Sequence, residues 1–182
     1  MPLSPPVERE HLHTRAYAFR GYRRADGLWD IEGHLTDTKA YSFPNEWRGE
    51  IASGEPIHDM SIRLTLDDDF VVRDIEVVTD AAPFRTCSGI TPNFAVVKGQ
   101  RVGPGWHRTI RRLLGGVQGC PHQVEMLGAL ATVAFQTIYP YRTRRKEAAG
   151  DSKRPPHLDS CHALASDGEV VKRFWPQFYT GA

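Results

Sequence analysis

This chain is short of every compositional extreme that would announce a function. Its 182 residues hold only three cysteines. A small, odd number of thiols does not make a disulfide framework, so a reducing compartment is expected. No sign of charge dominates: 23 Lys plus Arg face 22 Asp plus Glu, a net charge of +1. Without a basic excess, a nucleic-acid partner is not expected. No apolar run approaches the roughly 20 residues that cross a bilayer, and mean hydropathy is −0.44. The opening MPLSPPVEREHLHTR lacks the apolar stretch of a secretory leader. Together these absences lead to the expectation of a cytoplasmic protein with no membrane partner. There is no Gly-x-Ser-x-Gly nucleophile elbow, and Gly103-Pro-Gly-Trp and Gly115-Gly116 lack the spacing of a phosphate loop.

What remains is an ordinary globular composition, 40% hydrophobic and 25% charged, which excludes wholesale disorder. Residues 1–10 are Pro-rich and read as a loose arm. Residues 11–139 carry nearly all the apolar patterning and read as one domain. Residues 140–156 are basic and punctuated by Gly and Pro, the composition of a solvated linker. Residues 157–182 end in the aromatic run VVKRFWPQFY, which is expected to dock on the domain.

The first half has strand period. Residues 13–22 alternate around Tyr17 and Phe19, the Asp26-Gly27 turn follows, and residues 28–35 alternate again. Residues 60–66 and 71–79 form a third and a fourth run, joined by three aspartates at 67–69. Short connections favour an antiparallel meander. The second half switches to helical period over 92–98, 105–114 and 125–138. The last segment is apolar nearly all round, so it should be buried against the sheet. Strands first and helices later predict an α+β fold, with the first-half sheet packed on second-half helices.

Chemistry concentrates at the ends of these elements. In Gly119-Cys-Pro-His-Gln-Val-Glu, Cys120 and His122 lie at the start of a helix whose first turn holds Pro121, with Glu125 behind them. A helix N-terminus stabilises a thiolate, and Zn and Fe accept sulfur and nitrogen together. His58 and Asp59 precede the third strand, and Cys87 follows the fourth. A hairpin between those strands places His58 and Cys87 on one rim. If the helix after Cys120 begins at that rim, then His58, Cys87 and Cys120 supply three ligands, with either Asp59 or His122 as the fourth. The catalytic candidates are Glu125 as general acid or base, Asp59, and Arg24 as an anion-binding group. Arg24 lies in a dense set of charges that includes Arg15, Arg20, Arg23, Asp26, Asp30, Glu32, Asp37 and Lys39; on alternating strands such charges usually form a solvated face. Trp29, Trp47 and Trp106 could fill the core or line a pocket, and His13 and His34 read as surface histidines.

Over residues 54–139 the layout resembles the U-type iron–sulfur scaffold proteins. The matching stretches are Pro56-Ile-His-Asp-Met-Ser-Ile-Arg-Leu-Thr-Leu-Asp, Val71 through Cys87, and Cys120-Pro-His-Gln-Val-Glu. The resemblance implies ligands before one strand, after its partner and at the start of a late helix. Here the first segment offers His58 and Asp59 in place of a cysteine, so a single Zn or Fe ion is expected rather than a cluster. A second resemblance covers almost the whole chain. Gly21-Tyr-Arg-Arg-Ala-Asp-Gly-Leu-Trp-Asp-Ile-Glu, Gly54-Glu-Pro-Ile-His-Asp-Met and Gly119-Cys-Pro-His are similar to the bacterial domain-of-unknown-function family 2889, which implies no established activity.

Three functions follow as expectations. The first is a metal-dependent enzyme making a lyase- or hydrolase-type step on an organic acid or acyl thioester, with a small anionic substrate and room for a homodimer. The second is a metal or iron–sulfur carrier or scaffold. The third is a non-catalytic binding domain in which the cysteines are inert. Metal content separates the third from the other two.

Overall fold

The computed structural model describes residues 3–147 and 153–181. It divides into two compact units, Met1–Tyr141 and Arg142–Ala182. The first holds a four-stranded antiparallel sheet of β1 (His13–Arg23), β2 (Trp29–Lys39), β5 (Pro56–Leu66) and β6 (Val72–Ala81), in the order β1-β2-β5-β6. A small hairpin, β3 (Phe43–Asn45) and β4 (Gly49–Ile51), interrupts the meander. A 3₁₀ segment, Cys87–Val97, then leads to α1 (Trp106–Leu114) and α2 (Pro121–Glu147). The α+β order and the four strands of the meander are those the periodicity predicts; the β3–β4 hairpin is not among them.

Alternation explains which face is covered. Trp29, Ile31 and Leu35 of β2 and Met60, Ile62, Leu64 and Leu66 of β5 are buried, each two residues from the next inward position or a multiple of two. Against them pack Phe94 and Val97 of the 3₁₀ segment, Trp106, Ile110 and Leu114 of α1, and Met126, Leu127, Leu130, Ala134 and Ile138 of α2. Trp29 and Trp106 are therefore core residues. The other sheet face is polar, with Arg63 bridging Glu32 and Glu76 across three strands, both at 2.8 Å.

Two glycines fix how α2 crosses the sheet. A Cβ at Gly21 would overlap the Thr137 side chain, and one at Gly33 would press on Met126 and Phe19. The helix lies close over β1 and β2 because those positions carry no side chain. At its far end Tyr141 meets Trp29 edge-on, ring centroids 5.2 Å apart. Its start is held near β6, where the buried Gln123 donates Nε2 to Thr79 Oγ1 at 2.9 Å.

Three local expectations need correction. The α2 segment is not buried all round: Glu125, Ala129, Thr132 and Gln136 form an exposed stripe at helical spacing. Ala129 and Thr132 on that stripe are small enough to face water, so an apolar composition conceals a one-sided helix. The helix also continues past Ile138 and through Pro140 to Glu147, rather than ending where the basic residues begin. Finally, the residues around Pro92 form 3₁₀ turns from Cys87 onward instead of an α-helix, as a proline that lacks its N–H allows.

In the second unit the short α3 (Glu169–Phe174) lies between single 3₁₀ turns. Asp159 organises the chain before it, accepting from Ser166 N at 2.7 Å and Arg154 Nη2 at 2.6 Å.

Candidate metal centre

The pairing register brings three polar residues into one row on the covered sheet face. Arg15 of β1 stands opposite Asp37 of β2, and Asp37 opposite His58 of β5. Leu35 and Met60, two residues away on β2 and β5, are core residues, so the row continues the buried face to the sheet rim. The N-terminus of α2 begins at that rim. It sets the His122 ring against His58, centroids 4.0 Å apart. Ligand atoms of Asp37, His58 and His122 all lie within 4.8 Å of one another, from two strands and a helix.

Asp37 is the anchor. Its side chain is only 2% exposed, and four donors reach it. Oδ1 accepts from His13 Nε2 at 2.7 Å and Arg15 Nε at 2.9 Å. Oδ2 accepts from Arg15 Nη2 at 2.8 Å and His58 Nδ1 at 3.0 Å. Burial alone would push this carboxyl up, but the Arg15 fork, His13 and His58 outweigh it and hold the group at about 2. The pairing in turn pulls the Arg15 guanidinium further up, chiefly through its hydrogen bonds to Asp37.

Both imidazoles are held below the ordinary histidine value. Burial is the main cause at His58; Asp37 opposes it, and Arg15 and Arg48 add to it. Burial also leads at His122, followed by the charges of His58 and Arg15. Neutral imidazoles are what a metal needs. Arg48 sits at the turn of the β3–β4 hairpin, pairs with Glu55 and donates to the Pro56 carbonyl at 2.8 Å. That contact ties the hairpin to the start of β5, next to His58.

Cys120 caps the start of α2, its carbonyl accepting from Val124 N at 2.9 Å. Its Sγ lies 3.6 Å from His122 Nδ1, so Nε2 is the nitrogen of His122 left to a ligand. Cys87 is half-buried at the start of the 3₁₀ segment. The structure does not bring it, or the Cys120 sulfur, into the three-residue group. Asp59 follows His58 on β5 and so faces the opposite side of the sheet, where it pairs with His34 Nε2 at 2.6 Å. Arg24 lies at the other end of the strands, roughly 30 Å along β1 from Arg15 at about 3.3 Å per residue. There it pairs with Asp26 at 2.6 Å and Asp30 at 3.4 Å. Glu125 is close to the row: it accepts from Arg15 Nη1 at 3.2 Å and is 61% exposed. Burial, with the Glu125 carboxylate adding to it, pushes the Tyr17 phenol up to about 12.

Asp37, Arg15 and His13 are the site residues that the sequence reading leaves among surface charges and surface histidines. A signal was there: Ile31, Gly33, Leu35 and Asp37 share one alternation, so a carboxylate occupies an inward position.

The chain belongs to the family described as protein of unknown function (DUF2889), whose model matches residues 13–136. That span runs from His13, which donates to Asp37, past His122 and Glu125. No curated protein and no solved structure matches the chain, so the likeness to U-type scaffolds rests on the sequence segments alone.

Proposed function

We propose that this member of the DUF2889 family is a metal-dependent enzyme that holds one Zn or Fe ion on Asp37, His58 and His122. The reaction is a lyase- or hydrolase-type step on a small anionic organic acid or acyl thioester. One observation carries the reading: a buried carboxylate and two imidazoles, from separate elements, place ligand atoms within 4.8 Å of one another. Three protein ligands with positions left over is the layout of catalytic rather than closed structural sites. Two histidines with one carboxylate suit Fe(II) as well as Zn.

The donors fit such an ion. One carboxylate and two imidazoles are donor types that Zn and Fe(II) both accept. Asp37 is ionised and the imidazoles are neutral near pH 7. When bound, the ion polarises a carbonyl or lowers the pKa of a water. His13 and Arg15 position the Asp37 carboxylate through three further hydrogen bonds. Cys120 occupies His122 Nδ1 and thereby orients the ring. Glu125, tied to Arg15, is the carboxylate placed to move a proton.

The carrier reading calls for donors that a partner can reach. Side-chain exposure of 14% at His58 and 2% at Asp37 favours an ion that stays. Protein purified without chelator is expected to carry about one Zn or Fe per chain, and His58→Ala or His122→Ala to carry almost none. Wild-type protein free of both metals, or full occupancy in the His58→Ala and His122→Ala variants, would overturn the assignment.

A further inference from the structure

A cleft of about 490 Å³ lies between α1 and the first turns of α2, within the roughly 300–1,000 Å³ of small-molecule sites. Ile110 and Leu114, both buried, and the half-buried Val124 form its floor. His107, Arg111 and Glu125, all exposed, stand around its mouth.

Among the described residues, the basic side chains of this wall have no hydrogen-bonded or ion-paired partner. Helix α1 carries His107, Arg108, Arg111 and Arg112 and no acidic residue. Among the described residues, none of these four side chains takes part in a hydrogen bond or ion pair. The arginines beside the metal row differ. Arg15 directs its fork at Asp37 and its remaining Nη at Glu125, and Arg48 is held by Glu55 and the Pro56 carbonyl. An anion arriving at this end of the first unit therefore finds its free guanidinium at Arg111, above an apolar floor.

We infer that the cleft binds a monocarboxylate with a hydrocarbon body. The chain lies on Ile110, Leu114 and Val124, and the carboxylate is taken by Arg111 and His107. Glu125 sets the orientation, because its negative charge on the α2 side directs the carboxylate to the α1 side. As a binding site the cleft stands without the metal; as the substrate site of the proposed enzyme it rests on that reading.

The test uses the full chain labelled with nitrogen-15, titrated with hexanoate and, as the uncharged control, hexan-1-ol. Hexanoate is expected to shift the amides of residues 110–116 and 124–125 saturably, and to bind about tenfold more tightly than hexan-1-ol, the worth of one charge-assisted contact. Arg111→Gln changes an exposed side chain, so the fold is retained; hexanoate should weaken about tenfold and hexan-1-ol should be unchanged. Val124→Phe fills the floor and should weaken both. Hexanoate shifts outside the cleft, or equal hexanoate affinity in Arg111→Gln and wild type, would overturn the inference. Elemental analysis of the same samples keeps the two readings apart: metal-free protein that still binds hexanoate would defeat the metal assignment and leave the cleft standing.

Discussion

Asp37 receives four hydrogen-bond donors while only 2% of its side chain meets water, so protein groups supply nearly all the stabilisation of its charge. Replacing it by Asn leaves Arg15 beside a neutral amide. Asp37→Asn is expected to cost about 3 kcal/mol of folding stability, as for other broken buried pairs, and to abolish metal retention; urea unfolding and elemental analysis read the two effects. The pH dependence has a defined sign. An ordinary aspartate titrates at 3.8 and Asp37 at about 2, so the folded state binds this proton less tightly than the unfolded chain. Its contribution, roughly 2 kcal/mol by linkage, is complete above the ordinary value and is lost as pH falls through about 2. His58 and His122 are depressed from 6.5, so unfolded imidazoles take protons first and metal-free stability begins to decline below that value. Urea midpoints of metal-free protein should therefore fall in two stages between pH 8 and 2, with the lower one smaller in Asp37→Asn, because Asp26, Glu55, Asp67, Asp74 and Asp159 are also held below their ordinary values. A midpoint unchanged between pH 7 and 5 would refute the histidine stage. None of this is read easily from the sequence, because Asp37 stands among ten or so nearby charges. Only the alternation that puts it inward distinguishes it, and its partners Arg15 and His58 are 22 and 21 residues away.

At the scale of elements, α2 does most to assemble the site, since it carries His122 to the rim and crosses the sheet over two glycines. Gly21→Ala should destabilise by about 1–3 kcal/mol, because the added methyl overlaps Thr137. Thr137→Ala removes the overlapping Oγ1 and Cγ2 and should recover part of that loss in the double variant, measurable as a coupling energy by urea unfolding. Additive effects would mean that the helix does not lie where the glycines place it. The strands and the start of α2 are legible because period-two runs, the Asp26-Gly27 turn and Pro121 at the first helical position are local signals. The β3–β4 hairpin escapes the strand reading, since each strand has only three residues. Its signal was a turn: Asn45 Oδ1 accepts from Trp47 N and Arg48 N, both at 3.0 Å, and Gly49 has φ 79°. The pairing of Asp59 with His34 was missed for another reason. Neighbours on a strand face opposite ways, so His58 and Asp59 cannot both serve one ion.

For the molecule as a whole, opposite charges pair within the sheet, as in the Glu32–Arg63–Glu76 bridge, whereas α1 carries four basic side chains and no acidic one. Sequence order is enough to place His58 and the end of the fourth strand on one rim, because β5 pairs antiparallel with β6; that α2 starts there too is a condition it leaves open. It could not rank His122 above Cys87, since that depends on where the ring and the 3₁₀ segment turn. An ion held as proposed on Asp37, His58 and His122 would also link distant elements to stability. Removing it with chelator should lower the melting temperature by several degrees, since a ligand at 1,000 times its Kd adds about 4 kcal/mol; His58→Ala should not respond to chelator. The most direct measurement is anomalous scattering from crystals of the metal-loaded protein at the Zn and Fe edges. The account predicts one peak per chain within about 2.0–2.2 Å of ligand atoms of Asp37, His58 and His122. A peak on Cys87, or one that touches neither His58 nor His122, would contradict it.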